Sequence, residues 1–313
     1  MLSARASLSL CAVCLGGLVA SAQSPHSADR VAIEPRARAT PALEEVHRAT
    51  FRLDVKLIQI PVTVTDLRDR PVRGLQKDQF RVFEDEVEQQ VVTLSMGDAA
   101  LSTGVVFDNS GSMRNHIREA REAVQQFLMT SVPGDQFFLM RFSDNPQLVT
   151  PLTPMAGEIA KQLSAVRPRG WTAMNDAICR SLEEMHRAAN PRRVLLVLTD
   201  GVDNNSRYSD NELLSRAREA DVSIFAIGLF ERPRFLDKLA DETGGRVIWV
   251  RKLNDLSEAM EKLSLEIRNQ YVVGYFSNRA QNDGRYHKIR VDVQPPPAAG
   301  QVRTSWRKGY FAP

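Results

Sequence analysis

Hydrophobic residues between positions 51 and 97 alternate with polar residues in short runs. Three such runs are separated by polar turns, and the first alternates over at least ten positions. They are Val55 to Val64, Phe80-Arg81-Val82-Phe83-Glu84 and Val91-Val92-Thr93-Leu94. Because side chains of a β-strand point alternately to its two faces, this pattern predicts a small antiparallel β unit.

Residues 101–270 show a different pattern, in which near-continuous apolar runs alternate with stretches of helical spacing. The runs are Thr103 to Phe107, Phe137 to Met140, Val194 to Leu198, Val222 to Leu229 and Val247 to Val250. Apolar spacing of three and four residues predicts helices around Ile117 to Leu128, Ile178 to Met185 and Leu256 to Ile267. Ser209 and Glu212 have the spacing of a capping box, which predicts the start of a further helix. Strands buried on both faces and alternating with helices predict a doubly wound α/β domain with a mostly parallel sheet.

After residue 270 the strand pattern returns, in the runs Tyr271 to Phe276, Tyr286 to Val293 and Val302 to Tyr310. The Asn282-Asp283-Gly284 turn predicts that the first two runs pair as a hairpin. Residues 271–313 are too few to bury an apolar face alone, so we expect them to pack with residues 51–97. The predicted fold is therefore an α/β domain over residues 101–270, with one β domain made from both flanking segments.

The first fifty residues carry targeting signals rather than a domain pattern. Arg5, an apolar stretch from Leu8 to Val19 and the small residues Ala20-Ser21-Ala22 predict a secretory signal peptide over residues 1–22. The alternative is an uncleaved N-terminal anchor. Residues 23–50 mix Ser, Pro, Ala, Arg and Glu without periodicity and are predicted to be a flexible linker. We expect a secreted or periplasmic protein whose mature chain does not span the membrane.

Charge and cysteine content exclude two further classes of protein, nucleic-acid binders and proteins stabilised by an intrachain disulfide. The formal net charge is +3, and Lys and Arg are spread along the chain, whereas a nucleic-acid binder gathers them on one face. Cys11 and Cys14 lie in the predicted signal peptide, which leaves Cys179 alone and makes an intrachain disulfide impossible. Cys179 sits on a predicted apolar helix face, so we expect a buried thiol.

Polar residues follow two of the most apolar strands directly. Asp108, Ser110 and Ser112 follow the run that ends at Phe107, and Asp200 follows the run that ends at Leu198. Carboxyl ends of parallel strands meet at one edge of a sheet, so both carboxylates are expected there. Thr172 precedes a predicted helix, where a loop would reach the same edge.

The donor atoms of these five residues are all oxygens. Hard oxygen donors without Cys or paired His indicate Mg²⁺, Mn²⁺ or Ca²⁺ and do not indicate zinc. Two carboxylates and several neutral hydroxyls leave the ion only partly neutralised. An Asp or Glu of a protein partner could therefore complete the coordination, and we expect binding rather than catalysis.

The Asp108-x-Ser110-x-Ser112 loop, Thr172 and the Thr199-Asp200-Gly201 strand end resemble the metal-ion-dependent adhesion site of von Willebrand factor A domains. The flanks, including Val62 to Asp66 and Gly274-Tyr275-Phe276, resemble a subgroup of exported bacterial proteins of that family. The resemblance implies that Asp108, Ser110, Ser112 and Thr172 coordinate Mg²⁺ directly or through water, and Asp200 mainly through water. Trp171 departs from the common glycine and is expected to narrow access to the metal.

Simpler interpretations compete with this one. The Asp108 loop could merely cap the following helix, Asp176 could serve the helix dipole, and residues 203–205 could form a solvated loop. A hydrolase would use Ser110 or Ser112 with His116, but the sequence has no Gly-x-Ser-x-Gly elbow.

Two other functions also compete. In a structural scaffold of the cell envelope, the metal would only stabilise loops. Sugar binding by the β domain would rest on Tyr275 and Tyr286, whose packing in a hairpin explains them more simply.

Overall fold

The computed structural model describes residues 57–97, 99–230, 232, 234–277 and 283–312 of the chain. The predicted signal peptide and linker, residues 1–22 and 23–50, lie outside the described residues. Among the described residues, no helix is both long and apolar enough to cross a membrane.

A six-stranded sheet forms the centre of the α/β domain. Its strands are β5 (Leu101–Asp108), β6 (Gln136–Phe142), β7 (Pro146–Thr153), β8 (Arg192–Thr199), β9 (Ser223–Leu229) and β10 (Val247–Val250). Their order across the sheet is β10-β9-β8-β5-β6-β7, and only β7 runs antiparallel to its neighbour. The prediction of a mostly parallel sheet is confirmed. Every residue of β5 is buried, as expected of a central strand covered on both faces.

Helices cover both faces of this sheet. They are α1 (Ile117–Leu128), α2 (Ala156–Ala165), α3 (Met174–Met185), α4 (Asp210–Glu219), α5 (Arg234–Glu242) and α6 (Leu256–Arg268). One apolar core joins α1, α2 and α6 to one face of the sheet, and a second joins α3, α4 and α5 to the other. Ser209 caps α4 with the reciprocal Ser209–Glu212 contacts that the sequence predicts.

The flanking segments together build two four-stranded sheets. Their strands are β1 (Leu57–Asp66), β2 (Phe80–Glu84), β3 (Val87–Gln89), β4 (Val91–Met96), β11 (Tyr271–Phe276), β12 (Tyr286–Val293), β13 (Val302–Trp306) and β14 (Gly309–Phe311). The sheet orders are β13-β1-β11-β4 and β14-β12-β2-β3, so each sheet contains strands from both ends of the chain. A single apolar core, including Val62, Val82, Val273 and Val291, lies between them.

The predicted hairpin between β11 and β12 is wrong. Strand β11 pairs with β1 and β4, whereas β12 lies in the other sheet and pairs with β2 and β14. Five of the six residues of β11 are at least partly buried, and the strand needs a partner on each edge for its backbone hydrogen bonds. The neighbours β1 and β4 provide both, which leaves no edge for β12.

The single strand predicted from Val302 to Tyr310 is also divided in the structure. Strand β13 pairs with β1, and β14 pairs with β12 after the chain has crossed from one sheet to the other. A Cβ atom on Gly309 would lie 2.3 Å from the carbonyl oxygen of His287, so the close approach of β14 to β12 requires glycine.

One buried ion pair fixes the base of the central sheet. The carboxylate of Asp135 pairs with Arg268 at the end of α6 and accepts hydrogen bonds from the backbone N–H groups of Leu101 and Val132. Asp135 is 2% exposed. This carboxylate therefore joins the start of β5, the start of β6 and the last turn of α6.

We expect Asp135→Ala to lower the free energy of unfolding by about 3–5 kcal/mol, because Arg268 would lose its buried counter-charge. Chemical denaturation of the full chain measures this change. The matched control is Arg118→Ala, which removes an exposed pair with Glu119 and should leave the free energy of unfolding nearly unchanged. Equal costs for the two variants would show that the buried pair has no special role.

Candidate metal centre

The carboxyl ends of β5 and β8 place two carboxylates side by side. The strands are parallel neighbours in which Phe107 lies beside Leu198. Asp108 is therefore adjacent to Thr199, whose hydroxyl donates a 2.6 Å hydrogen bond to Oδ2 of Asp108. Asp200 follows at once, so both predicted carboxylates lie at the same edge of the sheet.

A chain of serine hydroxyls connects these two strand ends. The backbone N–H of Ser110 donates to Oδ1 of Asp108 at 2.8 Å, which folds the loop back over its own strand. The Oγ atoms of Ser110 and Ser112 are 3.0 Å apart, and Oγ of Ser112 donates to Oδ1 of Asp200 at 2.8 Å. Ser110 is buried and Ser112 is exposed, so this row of oxygens runs from the core to the surface.

Backbone hydrogen bonds hold the loop of Thr172 against the same place. The N–H of Gly111 donates to the carbonyl oxygen of Gly170 at 2.9 Å, two residues before Thr172. The N–H of Thr172 in turn donates to Oδ1 of Asn204 at 2.9 Å. Thr172 is 4% exposed. The structure thus brings the loop of Thr172 to the loop that carries Ser110 and Ser112.

Asp108 is buried completely, and this changes its acidity. Burial raises the pKa of Asp108 to about 6 and the charge of Asp200 acts in the same direction, although hydrogen bonds from Thr199 and Ser110 oppose them. Within the described part of the chain, the groups that hydrogen-bond to Asp108 are neutral. The buried carboxylate of Asp108, with the carboxylate of Asp200 beside it, forms a site that favours a cation.

Comparison with known proteins agrees with this geometry. Residues 103–202 match the family model of the von Willebrand factor type A domain, and they contain all five predicted site residues. This part of the chain is a von Willebrand factor type A domain. The match begins in β5 and ends in the loop that contains Asp200.

Curated relatives match a longer part of the chain. The chain is 27% identical over 182 residues to inter-alpha-trypsin inhibitor heavy chain H4 of Bos taurus, and 26% identical over 189 residues to inter alpha-trypsin inhibitor, heavy chain 4, of Mus musculus. These alignments cover 52% and 54% of this chain. The chain spans only 20% of the length of either relative.

Solved structures share the fold. A von Willebrand factor type A protein from Catenulispora acidiphila superposes with a TM-score of 0.52 at 13% identity, covering 84% of this chain and 74% of that one. Proximal thread matrix protein 1 from the mussel byssus, solved with a zinc-occupied MIDAS motif, gives a TM-score of 0.50 at 21% identity, covering 60% of this chain and 50% of that one. At these identities the likeness concerns the fold alone.

The donor atoms of the type A domain fit a small hard cation. Around an ion with oxygen ligands at about 2.1 Å, adjacent ligands are roughly 3 Å apart. The Ser110–Ser112 and Ser112–Asp200 oxygen separations, 3.0 and 2.8 Å, have this spacing. The buried carboxylate of Asp108 beside them is an anionic group of the kind that such an ion requires.

Three residues that sequence reasoning missed position the Thr172 loop of the type A domain. Asp144 accepts a hydrogen bond from the N–H of Trp171 at 2.8 Å, and Asn204 binds the N–H of Thr172. Asp203 accepts hydrogen bonds from the N–H of Asn175 and from Ser206. Asn204 and Asn205 are exposed, as the interpretation of residues 203–205 as a solvated loop predicts, and the side chains of Asp203 and Asn204 in addition hold the first turn of α3 and the loop before it.

Asp176 lies in the first turn of α3, as its predicted interaction with the helix dipole requires, and it also makes contacts outside the helix. Its Oδ1 atom accepts hydrogen bonds from the backbone N–H groups of Arg207 and Tyr208, at 2.9 and 3.0 Å. Asp176 therefore ties the loop before α4 to the first turn of α3. No comparable signal marked Asp144, because it lies two residues beyond the end of β6, whereas Asp108 is the last residue of β5.

His116 is placed differently from a catalytic histidine. Its ring lies 4.6 Å from that of Phe230, between centroids, and its Nδ1 atom is buried without a hydrogen-bond partner among the described residues. No carboxylate therefore orients the ring through Nδ1, as a Ser-His-Asp triad requires. The contact instead joins the loop after β5 to the loop after β9.

Gly170 is the residue on which the Thr172 loop most depends. Its φ of +72° is in the left-handed region, and an added Cβ would lie 2.4 Å from Oδ2 of Asp144. We expect Gly170→Ala to lower the free energy of unfolding by more than about 1–2 kcal/mol and to weaken divalent-metal binding. Thermal unfolding with and without Mg²⁺ measures both effects.

The matched control for this variant is Gly157→Ala in α2, where an added Cβ meets nothing within 4 Å. That change should stabilise the protein by about 0.5–1 kcal/mol, because alanine loses less backbone entropy in a helix than glycine. Wild-type stability and metal affinity in Gly170→Ala would contradict the role assigned to this loop.

Proposed function

We propose that the protein is a metal-ion-dependent binding module that captures an acidic group of a protein partner. Asp108, Ser110, Ser112, Thr172 and Asp200 would hold the ion, with Mg²⁺ as the preferred ion and Mn²⁺ or Ca²⁺ as substitutes. The observation that carries this proposal is the row of oxygens from buried Asp108 through Ser110 and Ser112 to Asp200.

Each residue has a distinct part in this proposal. Asp108 supplies charge from the core, and Asp200 supplies a second carboxylate that already hydrogen-bonds to Ser112. The hydroxyls of Ser110, Ser112 and Thr172 are neutral ligands, so the bound ion would keep positive charge for a further anionic ligand. When bound, the cation supplies that charge at the protein surface, where a partner's Asp or Glu can reach it.

Exposed apolar side chains near the site indicate which kind of residue flanks the acidic group in the partner segment. Trp171, Val202 and Phe230 are 65%, 48% and 47% exposed, and each lies in a loop at the carboxyl edge of the sheet. Trp171 precedes Thr172, and Val202 follows Asp200 by two residues. Exposed apolar groups around a charged centre are typical of recognition surfaces. The partner segment would therefore present its carboxylate between apolar side chains.

Binding is preferred to catalysis because the described residues of the site are suited to hold a metal ion, and the candidate base beside them is not oriented for proton transfer. His116, the candidate base, contacts Phe230 and lacks an orienting carboxylate at Nδ1 among the described residues. The mussel protein supports a metal-holding role, because a domain of this fold contains a zinc-occupied MIDAS motif. The predicted signal peptide supports a secreted or periplasmic location.

We expect the full chain to bind one equivalent of Mg²⁺ and Asp108→Ala to abolish this binding, because the buried carboxylate is the ligand closest to the core. Isothermal titration measures stoichiometry and affinity, and thermal unfolding confirms that the variant folds. The control is Glu158→Gln, which neutralises an exposed carboxylate in α2 and should bind metal like the wild type. Unchanged binding in Asp108→Ala would refute the assigned site.

Immobilised peptides test the partner chemistry directly. Peptides with a central Glu flanked by apolar residues should retain the protein in Mg²⁺ and release it in EDTA, because the glutamate completes the coordination. Matched Gln peptides should not bind, and Trp171→Ala should weaken capture while leaving Mg²⁺ affinity unchanged. Capture that survives EDTA and Asp108→Ala would instead favour the scaffold function, in which the metal only stabilises loops.

A further inference from the structure

A second cluster of metal-ligand side chains lies in the β domain. Glu84 is the last residue of β2, Asp85 belongs to the turn between β2 and β3, and His287 is the second residue of β12. One ligand atom from each of the three lies within 4.8 Å of the other two. Glu84 is completely buried and His287 is 5% exposed, whereas Asp85 is partly exposed, so the cluster lies at the edge of the core.

The backbone fixes Asp85 in this cluster. Its N–H donates to the carbonyl oxygen of Lys288, and its Oδ1 atom accepts from the N–H of Lys288, both at 2.9 Å. The φ angle of Asp85 is +44°, which few non-glycine residues adopt. This turn directs the other carboxylate oxygen, Oδ2, to within 2.9 Å of Nδ1 of His287.

The two nitrogens of His287 have different surroundings. The Nε2 atom lies 3.2 Å from Oδ1 of Asp283, an arrangement in which Nε2–H donates to a carboxylate. The Nδ1 atom then presents a lone pair toward Oδ2 of Asp85 and toward Oε1 of Glu84, which is 3.7 Å away. Lone pairs facing one another repel unless a positive species lies between them. That species is either a proton on Nδ1 or a metal ion.

Glu84 favours the metal ion over the proton. Its Oε1 atom accepts hydrogen bonds from Ser277 and Tyr310, at 2.9 and 3.3 Å. Its Oε2 atom is buried and makes no well-formed hydrogen bond in the part of the chain that the structure describes, although the buried hydroxyl of Tyr275 interacts with this carboxylate. A proton on Nδ1 of His287 would satisfy the contact with Asp85 but would not give Oε2 of Glu84 a partner. A divalent ion would serve both carboxylates.

We propose that Glu84, Asp85 and His287 bind a divalent transition-metal ion, with Zn²⁺ the first to be tested. One imidazole nitrogen and two carboxylates suit Zn²⁺, Co²⁺ and Mn²⁺, in contrast to the all-oxygen site at Asp108. Ligand atoms around Zn²⁺ at about 2.0–2.2 Å lie some 3–3.5 Å apart, close to the observed separations. Asp283 behind His287 matches the carboxylate that commonly orients a metal-bound histidine.

Such an ion would connect the two ends of the chain. Glu84 and Asp85 come from the N-terminal segment, and His287 comes from the C-terminal one, in strands β2 and β12 that pair with each other. The ion would stabilise the β domain by binding the folded state alone. This inference does not depend on the proposed function of the type A domain.

Titration of Zn²⁺ and Co²⁺ into the untagged full chain tests the proposal in the Asp108→Ala background, which lacks the other site's main ligand. We expect one equivalent to bind, Co²⁺ to develop visible absorption bands, and the temperature of unfolding to rise. The same titration of the wild-type chain in excess Mg²⁺ provides the test if Asp108→Ala does not fold. Absence of stoichiometric binding in both preparations would overturn the proposal and leave a protonated His287.

Variants then locate the ion. Glu84→Gln, added to the Asp108→Ala chain, keeps the size of the side chain and should weaken Zn²⁺ binding at least about ten-fold. Asp283→Asn in the same background should weaken Zn²⁺ binding by about 10–100-fold. The matched control is Glu88→Gln on β3, whose exposed pair with Arg81 is remote from His287 in the sheet and should leave affinity unchanged. Equal affinity in Glu84→Gln, Asp283→Asn and Glu88→Gln would overturn the assignment to this cluster.

Discussion

The buried carboxylate of Asp108 is the constraint on which the candidate site depends. It lies at the end of a strand that is inaccessible along its whole length, where an anion is costly unless its charge is balanced. Hydrogen bonds from Ser110 and Thr199 reduce this cost but bring no positive charge. The surrounding loops are arranged to bring further oxygens to the same point, and Gly170 and Asp144 keep the third loop close enough. A cation is the simplest counterpart to this arrangement.

The sequence predicted the α/β fold well because burial on both faces leaves a strong signal in single strands. Prediction from the sequence failed for elements whose local pattern of apolar and turn residues was weak or misleading. Strand β7 contains Pro146 and Pro151, which an edge strand tolerates but which conceal it in the sequence. Helices α2 and α5 have only two and three buried residues. The β11–β12 hairpin was predicted from local turn residues, but the edges of β11 pair with strands distant in the sequence.

The candidate ligands could be predicted from the sequence, whereas their supports could not. Asp108 and Asp200 follow apolar strands, and that position is visible in a single sequence. Asp144, Asn204 and Asp203 act through side-chain contacts with the backbone of loops 27 to 32 residues away, which no local pattern encodes. Tyr275 shows the same limit in the β domain, because it is completely buried. The idea that it is an exposed sugar-binding aromatic is therefore wrong.

The pairing of β4 with β11 has a mechanical consequence. Met96 of β4 lies directly opposite Tyr271 of β11. The chain therefore enters the α/β domain and returns from it through two strands that are paired with each other. Tension applied at the two ends of the described chain, beside β1 and β14, would load the two β sheets first. The type A domain would bear that load only after those sheets had separated. A partner bound at the carboxyl edge of the central sheet would thus stay in contact with a domain that bears no tension until the β sheets have separated.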